Sequence, residues 1–496
     1  MVVPGFFNLS NSSNPPITSD YTALRRRLGL YGEATLGFKD QLFLTGSVRN
    51  DWSSTLPINN DAIFYPGSNL AWIASKTFDL SATPISYLKF RGGYGETGSD
   101  PNPYQTNQSL RNGNIYLGYG DLYTPFNGTP AFGLGDILPN AELKPITTKE
   151  LEVGTEIGLF KERLHFDVSY YDRKTDGQIF TVPVAPSTGY AQPSPNQNNG
   201  GAIENIGQVS NKGIEITVDG LIVKTKDFSW SATYTYAKNV NNVDYLSGSL
   251  QNVVINSYYD VELRATPGQP VGEIYALGPK MVNGKMLVNA AGLPEADDSA
   301  KKDYGNSQYK YTMGLTNTFT YKSFSLGFSL DFRHGGVMYS GTADMVLFTG
   351  NGVATTYNDR KPFVVPNSVQ GITDAHGNVT YVTNTQQISS TNFNEYFYPT
   401  TNPGTAEAQR IFDRSFLKMR DITLSYRLPA RWASRAKIAE ASIGLYARNL
   451  LLWVPKANVY VDPEGSNLGN DLAGEIGEFR SAPTQKNFGV ILKVTF

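Results

Sequence analysis

The feature that most constrains this chain is a period-two alternation of apolar and polar residues, repeated over segments longer than the roughly five or six residues usual in soluble sheets. Leu151, Val153, Ile157 and Leu159 interleave with Glu152, Gly154, Glu156 and Gly158. After Lys161-Glu162-Arg163 the pattern resumes, with Leu164, Phe166, Val168 and Tyr170 on one face and His165, Asp167, Ser169 and Tyr171 on the other. Successive side chains of a strand point to opposite faces, so this reads as a long hairpin with a short turn. Phe228, Trp230, Ala232, Tyr234 and Tyr236 repeat the design, as do Phe324, Leu326, Phe328, Leu330 and Phe332. The chain is therefore all-β and antiparallel, apolar on one side and polar on the other.

A soluble sandwich also alternates; the connections separate the cases. Tight links at Lys39-Asp40, Lys161-Glu162-Arg163, Thr225-Lys226-Asp227 and Lys322-Ser323 largely alternate with long ones near 98–147, 176–211, 241–307, 337–413 and 452–484. Outer-membrane barrels join strands by short periplasmic turns and longer extracellular loops, and Phe38, Phe160, Trp230, Tyr321 and Trp453 suit interfacial girdles. The spans fall near 28–38, 41–52, 62–75, 86–97, 148–160, 164–180, 212–224, 228–240, 308–321, 324–336, 414–428, 437–450 and 485–496, about thirteen in all. A single-chain bacterial barrel has an even number with both ends in the periplasm, so the expectation is the C-terminal piece of a longer barrel, with upstream strands and any signal peptide missing. The stretch Val271–Asn289 reads as an extracellular hairpin.

Composition excludes several classes. No apolar run reaches the roughly 18 residues of a spanning helix, and mean hydropathy is −0.31. Lys+Arg number 42 against Asp+Glu 44, which leaves no basic excess to draw the chain onto nucleic acid. Cysteine is absent and there are three histidines, so thiolate chemistry is excluded and histidine-based metal or triad chemistry has few places to go.

Six stretches taken in order, "LYGEATLGFKDQLFLTGSVRNDWSSTLP" (30–57), "LKFRGGYGETGS" (88–99), "NKGIEITVDGLIVKTKDFSWSATYTYAKNVNNV" (211–243), "YKYTMGLTNTFTYKSFSLGFSLDFRHGG" (309–336), "RSFLKMRDITLSYRLP" (414–429) and "GLYARNLLLW" (444–453), closely resemble the SusC/RagA-like family of TonB-dependent outer-membrane transporters from Bacteroidota. The resemblance implies a transmembrane β-barrel of about 22 strands with an N-terminal plug, energised by TonB and ExbB-ExbD and paired with a SusD-like surface lipoprotein. It implies import of oligosaccharides or peptides. Residues 1–496 then form the C-terminal barrel portion, with the plug absent from this chain. The last strand, with Phe488, Val490, Leu492, Val494 and Phe496 toward lipid and Lys493 and Thr495 inward, resembles the signal read by the barrel-assembly machinery.

Glu152, Glu156, Asp167, Glu215, Asp219, Asp331, Arg333 and Arg448 lie on the polar faces, as does His165. Toward lipid a charge would cost up to about 2–4 kcal/mol, so these belong in the lumen, where they form interstrand ion pairs or touch the plug or substrate path. His165 beside Asp167 suggests a dyad, yet nothing local marks a nucleophile, and no enzyme is expected; His334 and His376 read as turn residues. The acidic stretches 294–306 and 461–475 invite calcium but lack the D-x-[DN]-x-[DN]-G spacing with a closing Glu, so no cofactor is expected. Tyr104, Tyr116, Tyr119, Tyr123, Tyr190, Tyr258, Tyr259 and Tyr357 stand among Asn, Gly and Ser in the loops, suited to a sugar or peptide, to a lid lipoprotein, or to loop packing. The rival readings are a passive porin and a soluble β-rich binding protein.

Overall fold

The structure, a computed structural model, describes residues 3–4, 22–112, 129, 132–135, 137–182, 184–188, 190, 201–246, 248, 250–400, 404–435 and 438–496. The alternating segments form thirteen long strands: β1 (Arg27–Phe38), β2 (Leu42–Ser53), β3 (Ala62–Ile73), β4 (Ile85–Ser99), β5 (Ile146–Leu159), β6 (Leu164–Asp176), β7 (Gln208–Lys224), β8 (Phe228–Tyr245), β9 (Tyr311–Tyr321), β10 (Phe324–His334), β11 (Phe416–Arg427), β12 (Glu440–Trp453) and β13 (Asn487–Thr495). They pair in chain order in a single antiparallel sheet, with β1 and β13 at its edges among the described residues. Every expected span has its strand. β8 runs past the expected end at 240 to Tyr245 because Asn241, Asn242 and Val243 continue the ladder after the apolar alternation stops, and Tyr245 rejoins it past a bulge.

Residues directly opposite in antiparallel neighbours share a face, so each face can be followed from strand to strand. One row runs Glu156, Asp167, Thr217, Thr235, Gly314 and Asp331 across β5 to β10. The row behind it runs Ile157, Phe166, Val218, Tyr234, Leu315 and Leu330. Among the described residues the apolar face is most exposed on the edge strands, where Leu28, Leu36, Val490 and Leu492 are 68%, 71%, 65% and 69% exposed, while Ile157, Phe166, Val218, Tyr234, Leu315 and Leu330 of the interior strands are half-buried. Contiguous exposed apolar side chains of this kind mark an interaction or membrane surface.

The apolar core lies in the connections. Val261, Leu263, Ile274, Ala276, Tyr339 and Ile476 are buried together and come from three different long loops. All the long connections leave the same end of the sheet: 100–145, 177–207, 246–310, 335–415 and 454–486. The expected hairpin at 271–289 is narrower than its span, since only Met281–Val282 and Lys285–Val288 pair as its arms. Glu273–Ala276 instead joins a separate sheet between Val261–Ala265 and Lys302–Asn306, because Ile274 and Ala276 are drawn into the loop core.

At the same end, Asp100 anchors the start of β1. Its buried side chain accepts hydrogen bonds from Arg25 and Arg27 and from the hydroxyls of Ser53 and Thr55, the last at 3.0 Å. Two guanidinium groups and two hydroxyls satisfy the carboxylate, as a buried charge requires.

Candidate functional site: the polar face and its mouth

The nine polar-face residues singled out above lie on one side of the sheet by register, and most are already engaged. Lys89 Nζ lies 2.7 Å from Glu156 Oε1, and Arg91 reaches Asp167 at 2.7 Å, Glu156 at 3.3 Å and Glu152 at 3.6 Å. Gly154 makes room for this guanidinium, since a Cβ there would stand 2.8 Å from it. Arg173 pairs with Glu150. Asp219 accepts from the Thr233 hydroxyl at 2.6 Å, and Glu215 sits opposite Ser169 and Ala237. His165 faces Gly158 and Asp219, while its expected partner Asp167 is bound by Arg91. Arg448 lies over the Tyr446 ring at 5.4 Å, opposite Asp421. A recess of about 970 Å³ opens on the polar side of β1 to β6, where Gly67, Gly93 and Gly95 thin the wall between Arg49, Glu152 and Arg173.

A second charge cluster lies at the loop end of the polar face. Lys418, 3% exposed, places Nζ 2.6 Å from both Asp462 and Glu464. Arg420 binds Glu464 at 2.5 Å and also Asp331, and Arg333 lies 3.2 Å from Glu464. The loop 454–486 is thereby fastened across β10 and β11. A register shift between Met419 and Asp421 sets this up: one extra residue in β11 lets Lys418, Arg420 and Asp421 all serve the polar side. Burial raises the pKa of Glu464, but hydrogen bonds from Arg420 and Lys418 overcome it and hold the carboxyl at about 2. Sequence reading missed Lys418 and Arg420 and weighed the stretch holding Asp462 and Glu464 for calcium only; the signal was the basic i, i+2 pair of "KMR" with the acids of "VDPEG".

In the acidic stretches weighed for calcium, four carboxylates are paired with cations. Asp297 lies 2.8 Å from Lys302, Asp462 and Glu464 belong to the cluster just described, and Glu475 pairs with Arg414. His376 is a turn residue, its N–H donating to Asp374 at 2.8 Å. His334 is not: it is the last residue of β10, its ring 5.0 Å from Tyr311, which stands opposite it, and the turn begins at Gly335, where φ is 78°.

Of the loop tyrosines, Tyr258 packs at a tilt against Phe479, with ring centroids 4.3 Å apart, and meets Tyr259 edge-on at 4.9 Å. Tyr357 meets Phe363 edge-on at 4.7 Å. The Tyr190 hydroxyl donates to Gln108 at 3.1 Å, and the Tyr104 hydroxyl accepts from the Leu24 N–H at 3.2 Å. Tyr116, Tyr119 and Tyr123 lie outside the described residues.

A second buried charge cluster lies in the loops, around the helix α1 (Gly341–Phe348). Arg410, 2% exposed, lies 2.8 Å from Asp344 and 3.9 Å from Glu407, so two carboxylates share one guanidinium. Burial pushes Glu407 up to about 7, against the pull of Arg410. A raised carboxyl pKa means that the folded state holds a proton the unfolded state has lost, so stability falls as pH rises from about 4.5 toward 7. Glu407→Gln should therefore stabilise the loop body at pH 8, by up to about 3 kcal/mol, and change little at pH 4.5. Limited proteolysis of the loops at the two pH values measures this; an equal effect at both would reject it.

A family model described as TonB dependent receptor-like, beta-barrel matches residues 4–450. TonB-dependent receptor P26 of Formosa agariphila is 27% identical over 523 aligned positions, covering 99% of this chain and 48% of that protein. TonB-dependent receptor P3 of the same organism is 23% identical, with 99% and 47% covered. TonB-dependent receptor SusC of Bacteroides thetaiotaomicron is 25% identical over 62% of this chain and 31% of its own. The fold also matches the RagAB peptide importer in its open-open state, with a TM-score of 0.70 at 18% identity, over 95% of this chain and 47% of that one. The chain thus spans about half the length of the relatives it matches. The family is one of receptors and transporters, not enzymes. With its antiparallel ladder, its division into an apolar and a polar face and its loops gathered at one end, this chain belongs to the TonB-dependent receptor β-barrel family.

Proposed function

We propose that this chain forms part of the outer-membrane wall and extracellular mouth of an energised importer, with the apolar rows in lipid and the polar rows around water. Its cargo is an oligosaccharide or peptide too large for passive pores. The observation that carries this reading is the division of one sheet into an apolar face, strongly exposed on its edge strands, and an ion-paired polar face, with every long loop at one end. Only a barrel satisfies every backbone group of a lipid-exposed sheet, so the strands described here close with others into a barrel of about 22. A plug in the remaining half, pulled by TonB with ExbB-ExbD, supplies the coupling, and a SusD-like lipoprotein covers the mouth. Phe488, Val490, Leu492, Val494 and Phe496 present the alternating, aromatic-ended strand that the barrel-assembly machinery reads. The similarity of the fold to the RagAB peptide importer supports the peptide class.

The test is uptake of labelled oligosaccharide and peptide pools by cells with and without the gene, and with and without TonB. Accumulation that needs both supports the proposal. Uptake that survives loss of TonB would indicate a passive channel, and no gene-dependent uptake would reject import.

A further inference from the structure

The two ends of the sheet carry opposite charge. The connections at the end away from the long loops, 39–41, 74–84, 160–163, 225–227, 322–323 and 428–439, hold nine Lys or Arg against four Asp or Glu. Those at the loop end, 54–61, 100–145, 177–207, 246–310, 335–415 and 454–486, hold 15 against 24. The basic excess is built in a repeated way. Three of the short turns open on an aromatic residue followed by a lysine: Phe38-Lys39, Phe160-Lys161 and Tyr321-Lys322. Each lysine is in the left-handed region, at φ 49°, 58° and 51°, where a side chain with a Cβ is disfavoured and Gly or Asn is the ordinary choice. Local backbone preference therefore does not explain the lysines. The three aromatic side chains are exposed, and Phe38 and Tyr321 end apolar rows, opposite Leu42 and Phe324. Lys39 Nζ lies 5.3 Å from the Phe38 ring centre, and Lys322 Nζ lies 5.4 Å from that of Tyr321. On the short helix Ala430–Arg435, the exposed Trp432 has the Arg431 guanidinium 6.0 Å from its ring.

An aromatic ring suits the headgroup level of a bilayer, where its body meets apolar chains and its edge meets water. A lysine one residue beyond it, with its apolar stem laid along the ring, carries its ammonium to the level of the phosphates. In water a left-handed lysine has no compensating gain. Against an anionic layer it has one, since each cation held near such a surface strengthens attachment about fivefold. We infer that the short-turn rim is a binding collar for anionic glycerophospholipid headgroups of the adjoining leaflet. Lys39, Lys161, Lys322 and Arg431 are its phosphate-directed cations, and the aromatic residue beside each is its interfacial anchor. This rests on the outer-membrane placement proposed above and adds to it a lipid preference confined to one end of the strands, because the acidic excess at the loop end opposes the same preference there.

The test uses the full-length protein in phosphatidylcholine vesicles, with spin-labelled phosphatidylglycerol or spin-labelled phosphatidylcholine as the probe of lipid held at its surface. Lys39→Asn, Lys161→Asn and Lys322→Asn together remove three cations and supply a residue that left-handed positions accept, so the turns are retained; heat-modifiable mobility checks that the variant is folded. Lys280→Gln, Lys285→Gln and Lys456→Gln together remove the same charge from the loop end. The expected result for the unmodified protein is a preference for phosphatidylglycerol of at least about threefold. It should fall below about 1.5-fold in the turn variant and in about 1 M salt, and stay near threefold in the loop variant. Equal contact with both lipids in the unmodified protein, or a preference that survives the turn substitutions, overturns the inference while the membrane placement stands. Loss of the preference on adding excess glycerol phosphate at constant ionic strength assigns the cations to a soluble phosphate and overturns it as well. Absence of immobilised lipid with either probe overturns the placement and the inference together.

Discussion

Leu315→Arg should leave most of the protein unassembled, while Thr316→Arg, one residue along β9, should assemble nearly as well as the unmodified chain. Leu315 stands on the apolar face, opposite Tyr234 on β8 and Leu330 on β10. Thr316 stands on the polar face, opposite Thr233 and Ser329. Both are near the middle of an 11-residue strand, so depth and backbone pairing are matched and only the face differs. A guanidinium at mid-membrane costs about 2–4 kcal/mol on the lipid side of a barrel, and lumen substitutions cost far less. At about 1.4 kcal/mol per factor of ten, the assembly equilibrium constant of Leu315→Arg should fall between ten- and a thousandfold relative to its neighbour. Heat-modifiable mobility in outer-membrane fractions, followed by urea titration of whatever assembles, reads the difference. Equal losses from the two variants would mean that the faces do not separate lipid from water, and the proposed setting would fail with them.

The sheet was legible because its physics is local. Period-two alternation is forced wherever one side of a strand meets an apolar medium and the other does not, so Leu151 to Leu159 and Leu164 to Tyr170 announce a hairpin without knowledge of anything else in the chain. The polar-face positions of Glu156, Asp167 and Arg448 follow from the same rule. What the rule does not contain is partner choice. Arg91, which binds Glu156 and Asp167 together, sits in the glycine-rich "RGGYGETG", where alternation is faint, and Gly154 is small in order to admit it. The bulge at Met419–Asp421 defeats alternation outright: strict period two from Asp421 sends Lys418 and Arg420 to lipid, yet both bind acids from a loop 44 to 46 residues away. The loops were least legible of all. Their strands are two to six residues long, and their core is assembled from distant segments, so Glu273–Ala276 looked like one arm of a hairpin whose real arms lie further along. Tertiary burial, not local pattern, decided its partners.

Lys418→Met should release loop 454–486 from the mouth. The ammonium is 3% exposed and is shared by Asp462, itself 8% exposed, and Glu464. A methionine fills the same volume but leaves Asp462 as a buried carboxylate with only the Thr484 hydroxyl, 2.6 Å away, as a side-chain donor. Breaking a buried pair by removing one partner costs about 3–5 kcal/mol, chiefly because the remaining charge is stranded. Pairing the change with Asp462→Asn removes that charge and should recover much of the loss. The pH dependence follows from the depressed pKa of Glu464. A carboxyl held at about 2, against an ordinary value near 4.5, contributes stability that is fully present above 4.5 and is lost as pH falls through about 2. The unmodified loop should therefore resist an externally added acid-active protease down to about pH 3. In Lys418→Met the carboxyl loses one of its two hydrogen-bonding cations, its pKa rises, and protection should fail at a higher pH as well as being weaker at neutrality. Cleavage within 454–486 on intact cells, timed across this range, reads both effects. An unchanged cleavage rate and pH profile in Lys418→Met would show that the ionic cluster does not hold the loop, and that its apolar contacts through Ile476 and Leu472 do.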